Sequence, residues 1–558
     1  WTELRPLLGS LAALSFFMNM LLLVPAVFML QVFDRVIPSN SKETLTVLLA
    51  GAGIALAILF LLDYVRGRLQ SVLGNIIEER LSPAVVNTVV KKAARAPQTA
   101  RTEGIRDVAA LRQMFSSQGL VALFDAPWVP IYVAVIWLFH PALGMAAGAC
   151  AIIMLGLAWL NDKLNRNALD TLQTEGRRAS NYVETSLRNA EVLQALGMTQ
   201  SLLKRWRYFQ DKVALMQEGT SKSGAVFQAM TRFMRQFVQI AMLSLGAYLV
   251  LTQEASAGIM IATTVLLGRA VQPVEQLVGS WKMLSEARAA YARLNELSRD
   301  FEEEKNHVKL PASQGRLSTE NVSYRLAGTD THLLSNVSFR LEAGESLAII
   351  GPSAAGKSTL ARLLTGVWPP TSGTVRLDGA DIAYGPREDL GTRIGYVPQD
   401  VELFGGSVAE NIARLGEVDS EAVVKAAKRA QVHELILGMP QGYETQVGEG
   451  GTNLSPGQRQ RIALARALYG DPKYLVLDEP NSNLDGAGEA ALAQALGELH
   501  KEGITSIVVT HRPSLIAHVD KILVMGGGRV QQFGPAAEVM KSMQQMQVVG
   551  AGKVGRAT

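Results

Sequence analysis

The chain has 558 residues, with 54 lysines and arginines against 50 aspartates and glutamates and a single cysteine, Cys150. That length allows about three or four domains of ordinary size, or fewer if one is large. The near balance of charge gives no footprint for a nucleic-acid partner, and a lone cysteine excludes a disulfide within the chain and suits a reducing compartment.

A mean hydropathy of +0.15 hides an asymmetry, because the long apolar runs lie before residue 280 while residues 316–540 read as a soluble α/β protein. A bilayer core needs about 20 mostly apolar residues per helix. Six stretches qualify, at 7–30, 45–64, 119–139, 141–160, 226–250 and 257–278. They predict a helical membrane domain over 1–300.

Loop charge sets its orientation. The segment 66–118 carries Arg66, Arg68, Arg80, Lys91, Lys92, Arg95, Arg101, Arg106 and Arg112, and 161–225 is similarly basic. The opposite loops hold only Arg35 and Lys42, then none at His140-Pro141 and none in 252–257. The basic loops are therefore expected on the cytoplasmic side, with the chain returning there after six spans. Each is long enough for a pair of helices of about 25 residues, reaching about 40 Å from the membrane, with tips at 96–104 and near Leu196-Gly197-Met198. In the fifth span Gln228, Arg232, Arg235, Gln236 and Gln239 recur at helical spacing, and the sixth adds Arg269, Gln272 and Glu275. Such groups at membrane depth either line a polar path or snorkel to the interface; the sequence leaves both open.

Residues 301–315 form a polar linker, 316–545 a nucleotide domain, and 546–558 a tail expected to lack structure. Gly351, Pro352, Ser353, Ala354, Ala355, Gly356, Lys357, Ser358 and Thr359 match the P-loop spacing between an apolar strand, 346–350, and a helix starting near Lys357. In such a loop backbone N–H groups wrap phosphates, Lys357 reaches the terminal phosphates and Ser358 offers an oxygen to Mg2+. A second apolar strand, Tyr474 to Leu477, delivers Asp478 for the metal and Glu479 as the base that polarises the attacking water. His511, after a third strand at 506–510, is the candidate γ-phosphate partner.

Taken with these, Gln399 after Tyr396-Val397-Pro398, the run Leu454-Ser455-Pro456-Gly457-Gln458, Asn483-Leu484-Asp485 and His511 resemble the Q-loop, signature, D-loop and switch histidine of ABC transporters. Tyr324 resembles that family's adenine-stacking aromatic. Six spans followed by one such domain resemble the exporter branch. The resemblance implies ATP and Mg2+ as ligands, Gln399 as both a catalytic and a metal residue, Gln458 and Asp485 among the nucleotide-binding residues, and a homodimer in which ATP lies between Lys357 of one copy and Ser455 of the other, with Gly457 donating to the partner's γ-phosphate. One departure is Pro456, where the family has Gly. Ser455 is suited to N-cap a helix with Pro456 at its first position, so an active site is expected.

Val24 to Pro38, Leu123 to Pro130, Val397 to Phe404 and Val408 to Ile412 look like the type I secretion transporters, in particular the alkaline-protease and lipase exporters. That resemblance implies one-step export of an unfolded protein with a C-terminal signal from the bacterial inner membrane, with a periplasmic membrane-fusion adaptor and an outer-membrane channel. Some relatives carry an N-terminal peptidase-like domain; here the first span starts within about ten residues of Trp1, and none is expected. The outward loops are too short for a periplasmic domain, which leaves the segment 31–44, with Asp34, Arg35 and Pro38, as either an adaptor contact or a helix cap and turn. A lipid or drug exporter and a non-transporting ABC regulator are the rival functions. The complete set Glu479, Asp485 and His511 argues against the second.

Overall fold

The computed structural model describes residues 4–95, 103–187, 189–302, 313–326 and 331–554. The chain divides into two compact units, Trp1–Lys91 with Thr99–Asp300, and Lys92–Gln98 with Phe301–Thr558.

The first unit is helical: α1 (Leu4–Leu21), α2 (Val24–Gln31), α3 (Lys42–Arg95), α4 (Glu103–Phe115), α5 (Gln118–Asp125), α6 (Trp128–Phe139), α7 (Pro141–Leu187), α8 (Ala190–Ala195), α9 (Thr199–Leu251) and α10 (Ala257–Glu302). Among the described residues five helices are long and apolar enough to cross a membrane, or six if α5 and α6, bent by 46°, form one span. Phe60 and Ile152 are 74% and 72% exposed, which suits side chains that face lipid and not water. Spans and extensions are continuous: α3 runs 54 residues, about 80 Å at 1.5 Å per residue, against a hydrocarbon core of about 30 Å. The tip expected at 96–104 lies largely outside the described residues. The other is the turn after α8, where Gly197 takes φ +62°. The first span is broken at Leu22-Leu23, because Pro25 in the first turn of α2 cannot continue the α1 ladder.

Polar groups fasten this unit. Asn19 of α1 donates to Asp125 at 2.7 Å, the Tyr132 hydroxyl donates to Asn19 Oδ1 at 2.9 Å, and Arg66 of α3 lies 3.5 Å from Asp125. Asp34 accepts from the Gly258 N–H at 2.9 Å and from the Ser256 hydroxyl at 2.5 Å. Its carboxylate therefore caps α10, so the capping alternative holds for Asp34. On the polar face of the fifth span, Arg235 pairs with Glu275 at 3.4 Å.

The second unit holds β1 (Leu317–Arg325), β2 (His332–Leu341), β3 (Ser346–Ile350), α11 (Lys357–Leu364), β4 (Ser372–Leu377), β5 (Ala380–Asp381), β6 (Ile394–Val397), α12 (Pro456–Leu468), β7 (Tyr474–Asp478), α13 (Gly486–Lys501), β8 (Thr505–Val509), β9 (Lys521–Gly526), β10 (Arg529–Pro535) and α14 (Ala536–Val554). An antiparallel sheet runs β2-β1-β4-β5, and a second runs β10-β9-β3-β8-β7-β6 with all but its β10 edge parallel. Strands β3, β7 and β8 are buried along their whole length, as continuous apolar strands covered on both faces must be. Their carboxyl ends lie side by side, the edge where open α/β sheets place ligands. Helix α14 runs to Val554, so much of the tail expected to lack structure is helical.

Candidate nucleotide-hydrolysis site

Four neighbouring strands each deliver one element of the site. After β3 the chain turns through the P-loop, with Ala354 at φ +62° and Gly356 at φ +92° as N-cap of α11. A Cβ on Gly356 would lie 2.7 Å from Leu334 Cδ2 and 3.0 Å from the Leu333 carbonyl, so only glycine fits this strand-to-helix turn. Ser353 is exposed on the crown, Thr359 is half-buried in the first turn of α11, and the Ala355 methyl is buried while its N–H bonds to the Pro352 carbonyl. Lys357 is only 7% exposed, and its ammonium donates to the carbonyls of Gly351 and Pro352 at 2.9 and 3.0 Å. The cation is thus aimed back over the loop that faces a helix N-terminus, the geometry of a phosphate cradle.

Asp478 ends β7 at 1% exposure, and the Ser358 hydroxyl donates to its Oδ1 at 3.2 Å. Burial holds this carboxyl above the ordinary range, and the Glu479 charge adds to the effect, against the opposing pull of the Ser358 hydrogen bond. Two hard oxygen donors facing each other suit Mg2+.

Glu479 takes a left-handed backbone, φ +50°, fixed by its N–H to the Val509 carbonyl at 3.0 Å. This turns its carboxylate toward the ends of β6 and β8. Gln399 Nε2 donates to Glu479 Oε2 at 3.0 Å, and His511 Nε2 lies 3.8 Å from Oε1. The structure therefore brings Gln399, Glu479 and His511 together around one carboxylate, next to the Ser358–Asp478 pair.

The signature residues form a second cluster. Ser455 Oγ accepts from the Gln458 N–H at 3.2 Å, and Gln458 Oε1 accepts from the Ser455 N–H at 2.9 Å, a capping box with Pro456 at the first position of α12. Because Ser455 Oγ is used as an acceptor, its proton stays available for donation. A Cβ on Gly457 would meet the Asn483 carbonyl at 2.9 Å, so D-loop and signature touch at a glycine. Asp485 caps α13 through the Gly488 N–H at 2.8 Å; within this chain that is its role.

Tyr324 stands apart from these contacts. Its ring stacks on Trp368, with centroids 5.1 Å apart, and the Arg362 guanidinium lies over the Trp368 ring. One face of Tyr324 is thus occupied by protein, and adenine stacking is left with the other. Trp368 Nε1 also donates to the carbonyl of Ala94, in the segment Lys92–Gln98 that belongs to this second unit, at 2.8 Å.

Sequence reasoning missed Gln460. It is 2% exposed, donates to the Glu479 carbonyl at 3.1 Å and accepts from the Asn483 N–H at 3.1 Å. Its signal was a polar residue sharing the apolar face of α12 with Ala463, Leu464 and Ala467, a position where an amide needs partners.

Parallel strands ending in a P-loop, a buried aspartate and a flanked glutamate define an ATP hydrolase domain, here following a helical membrane domain. Residues 334–482 match the ABC transporter family and 9–274 the ABC transporter transmembrane region. The chain is 40% identical over 541 residues to the type I secretion system ATP-binding protein PrsD of Rhizobium meliloti (strain 1021), covering 96% of this chain and 92% of that protein. It is 28% identical to the toxin RTX-I translocation ATP-binding protein of Actinobacillus pleuropneumoniae, covering 94% and 75%, and 28% identical to the cyclolysin secretion/processing ATP-binding protein CyaB of Bordetella pertussis (strain Tohama I), covering 99% and 78%. A solved bacterial Atm1-family ABC exporter with ATP bound superposes with a TM-score of 0.84 at 22% identity, over 100% of this chain and 99% of that one, and establishes the exporter fold. The chain belongs to the ABC transporters of type I secretion systems, as an ATP hydrolase coupled to transport.

Proposed function

We propose that this chain is the inner-membrane, ATP-hydrolysing subunit of a type I secretion system. It exports an unfolded protein with a C-terminal signal through a periplasmic adaptor and an outer-membrane channel. The observation that carries this reading is the 40% identity to a type I secretion ATP-binding protein along nearly the whole of both chains, membrane half included. The basic extensions then face the cytoplasm together with the ATP domain, and the spans contact membrane lipids.

Two copies act together. Lys357 and the N-terminus of α11 hold the ATP phosphates of one site, and Ser455 and Gly457 of the second copy donate to the γ-phosphate. Ser358, Asp478 and Gln399 would hold Mg2+, which supplies positive charge to the phosphate oxygens. Glu479 polarises the attacking water, Gln399 orients that carboxylate, and His511 donates to the γ-phosphate. Positioning and charge stabilisation supply most of the rate in such a transfer.

The test is reconstitution with an adaptor and channel in liposomes, adding the C-terminal segment of a secreted protein. Stimulation of ATP turnover by that segment supports the reading. Stimulation by phospholipid or small hydrophobic molecules, with none by polypeptide, assigns the chain to lipid or drug export instead.

A further inference from the structure

Tyr324, near the end of β1, lies one cross-strand step from the phosphate loop. It pairs in register with Leu334 of β2, whose side chain closes on the Gly356 turn that starts α11. The Tyr324 ring is half-buried, with Trp368 against one face. Its other face is left for a base whose phosphates sit at the N-terminus of α11.

A tyrosine ring turns about two side-chain torsions, and β1 by itself does not fix its plane. The connection that follows α11 does. Trp368 is 7% exposed and stacks on Tyr324 with ring planes 22° apart. The Arg362 guanidinium, from α11, lies 4.8 Å from the centre of the Trp368 ring, a cation over a π face. Arg362, Trp368 and Tyr324 thus form one chain of contacts that begins in the helix headed by Lys357.

Four hydrogen bonds set this chain in place. The Trp368 backbone N–H donates to the Arg362 carbonyl at 3.3 Å, and its Nε1 donates to Ala94 at 2.8 Å, one of the last four carbonyls of α3, which a helix leaves open. Thr371 holds the backbone on both sides of Tyr324. Its N–H donates to the Ser323 carbonyl at 2.9 Å, and its hydroxyl accepts from the Arg325 N–H at 3.0 Å. Pro369 and Pro370 lie between the two anchors, and their fixed φ makes the segment 368–371 a stiff bracket. Core packing alone would need only apolar bulk at position 368. Parallel stacking, an overlying cation and an anchored N–H together call for an indole.

We propose that Trp368 is a positioning residue for the nucleotide base, holding the plane of Tyr324 so that adenine stacks on the opposite face while Lys357 holds the phosphates. Trp368 itself touches no atom of ATP. The proposal rests on the ATP-hydrolysing reading above, with Tyr324 as the base platform.

The test measures ATP turnover by the full-length protein in lipid nanodiscs, with inorganic tripolyphosphate as a competitor that fills the phosphate cradle and carries no base. Trp368→Leu keeps apolar bulk and removes the ring, whereas Trp368→Phe keeps a ring and removes the bond to Ala94. Trp368→Leu raises KM for ATP about tenfold, with kcat within about twofold and the tripolyphosphate inhibition constant unchanged. Trp368→Phe stays within about threefold of wild type in KM, because an aromatic pair is retained. Tyr324→Ala raises KM at least as far, and adding Trp368→Leu to it costs nothing more, since the tryptophan acts through the tyrosine. An unchanged KM in Trp368→Leu beside a raised one in Tyr324→Ala overturns the role of Trp368 and leaves the platform standing. Additive losses in the double variant overturn it as well. Weaker tripolyphosphate inhibition in Trp368→Leu makes Trp368 a folding residue of the cradle and overturns it too. If Tyr324→Ala leaves KM unchanged, the platform reading fails and the role of Trp368 with it.

Discussion

Gln460 holds the backbone of Glu479: its amide donates to the Glu479 carbonyl at 3.1 Å while its own carbonyl accepts from Asn483 at 3.1 Å. One side chain thus ties the helix that starts at Ser455 to the loop that carries Glu479. In a dimer with shared sites, that helix serves one ATP and that loop the other. Gln460→Leu keeps the volume and removes both bonds, each worth about 1 kcal/mol net and more if a buried partner is left unpaired. The expected result is a fall in turnover of about 10- to 100-fold, with ATP affinity within about twofold of wild type. Single-turnover hydrolysis set beside equilibrium nucleotide binding measures it. A matching loss of ATP affinity would make Gln460 a folding residue and not a positioning one.

Pro456 sits at the first position of α12, where its missing N–H costs nothing. Pro456→Gly should therefore leave turnover within about threefold of wild type, whereas Ser455→Ala, which removes the cap and the hydroxyl donor, costs about 1 kcal/mol of helix stability and at least about tenfold in turnover. Steady-state ATP hydrolysis of the two variants checks the contrast. A large gain from Pro456→Gly would mean that proline impairs the native site.

Ala354 occupies the left-handed region at φ +62°, a conformation that costs an L-residue about 1–2 kcal/mol. Glycine gives back part of that gain through its freer unfolded chain, so Ala354→Gly is expected to raise stability by about 0.5–1 kcal/mol. Thermal inactivation without nucleotide reads the direction. A fall would contradict the observed loop conformation.

The Asp478 carboxyl is held above its ordinary range by burial and by Glu479. A raised native value favours the protonated form, so the associated stability is full below the unfolded value and is lost as pH rises through the native one. Mg2+ binding requires the carboxylate and therefore strengthens in the opposite direction. The Mg2+ concentration for half-maximal hydrolysis should climb as pH falls, starting above the usual aspartate range and approaching about tenfold per pH unit. Magnesium titrations from neutral pH downward test this, with Asp478→Asn expected to remove both the activity and the pH dependence.

The parts of the fold legible in the sequence were those written in contiguous residues. Apolar runs marked the spans, Ser346 to Ile350 and Tyr474 to Leu477 read as buried strands, and the order Ser455, Pro456, Gly457, Gln458 predicted a capped helix that the structure contains. Contacts made across the chain were not legible. Asn19 meets Asp125 across 106 positions, Asp34 caps a helix that begins more than 200 residues later, and the Tyr324 ring finds Trp368 from another element. Local pattern specifies which face of a helix is apolar, but not which distant polar group will satisfy an amide such as Gln460. The tail from Met546 was expected to lack structure, and α14 extends to Val554.

The central claim, protein export driven by hydrolysis at Glu479, is tested most directly by secretion. Cells carrying this chain with an adaptor and channel would express a reporter fused to the C-terminal segment of a type I secreted protein. The account predicts release of the reporter with the wild-type chain and none with Glu479→Gln, which keeps Gln399 and His511 beside a side chain that can no longer act as the base. Equal release from both, or release that does not require the C-terminal segment, would contradict it.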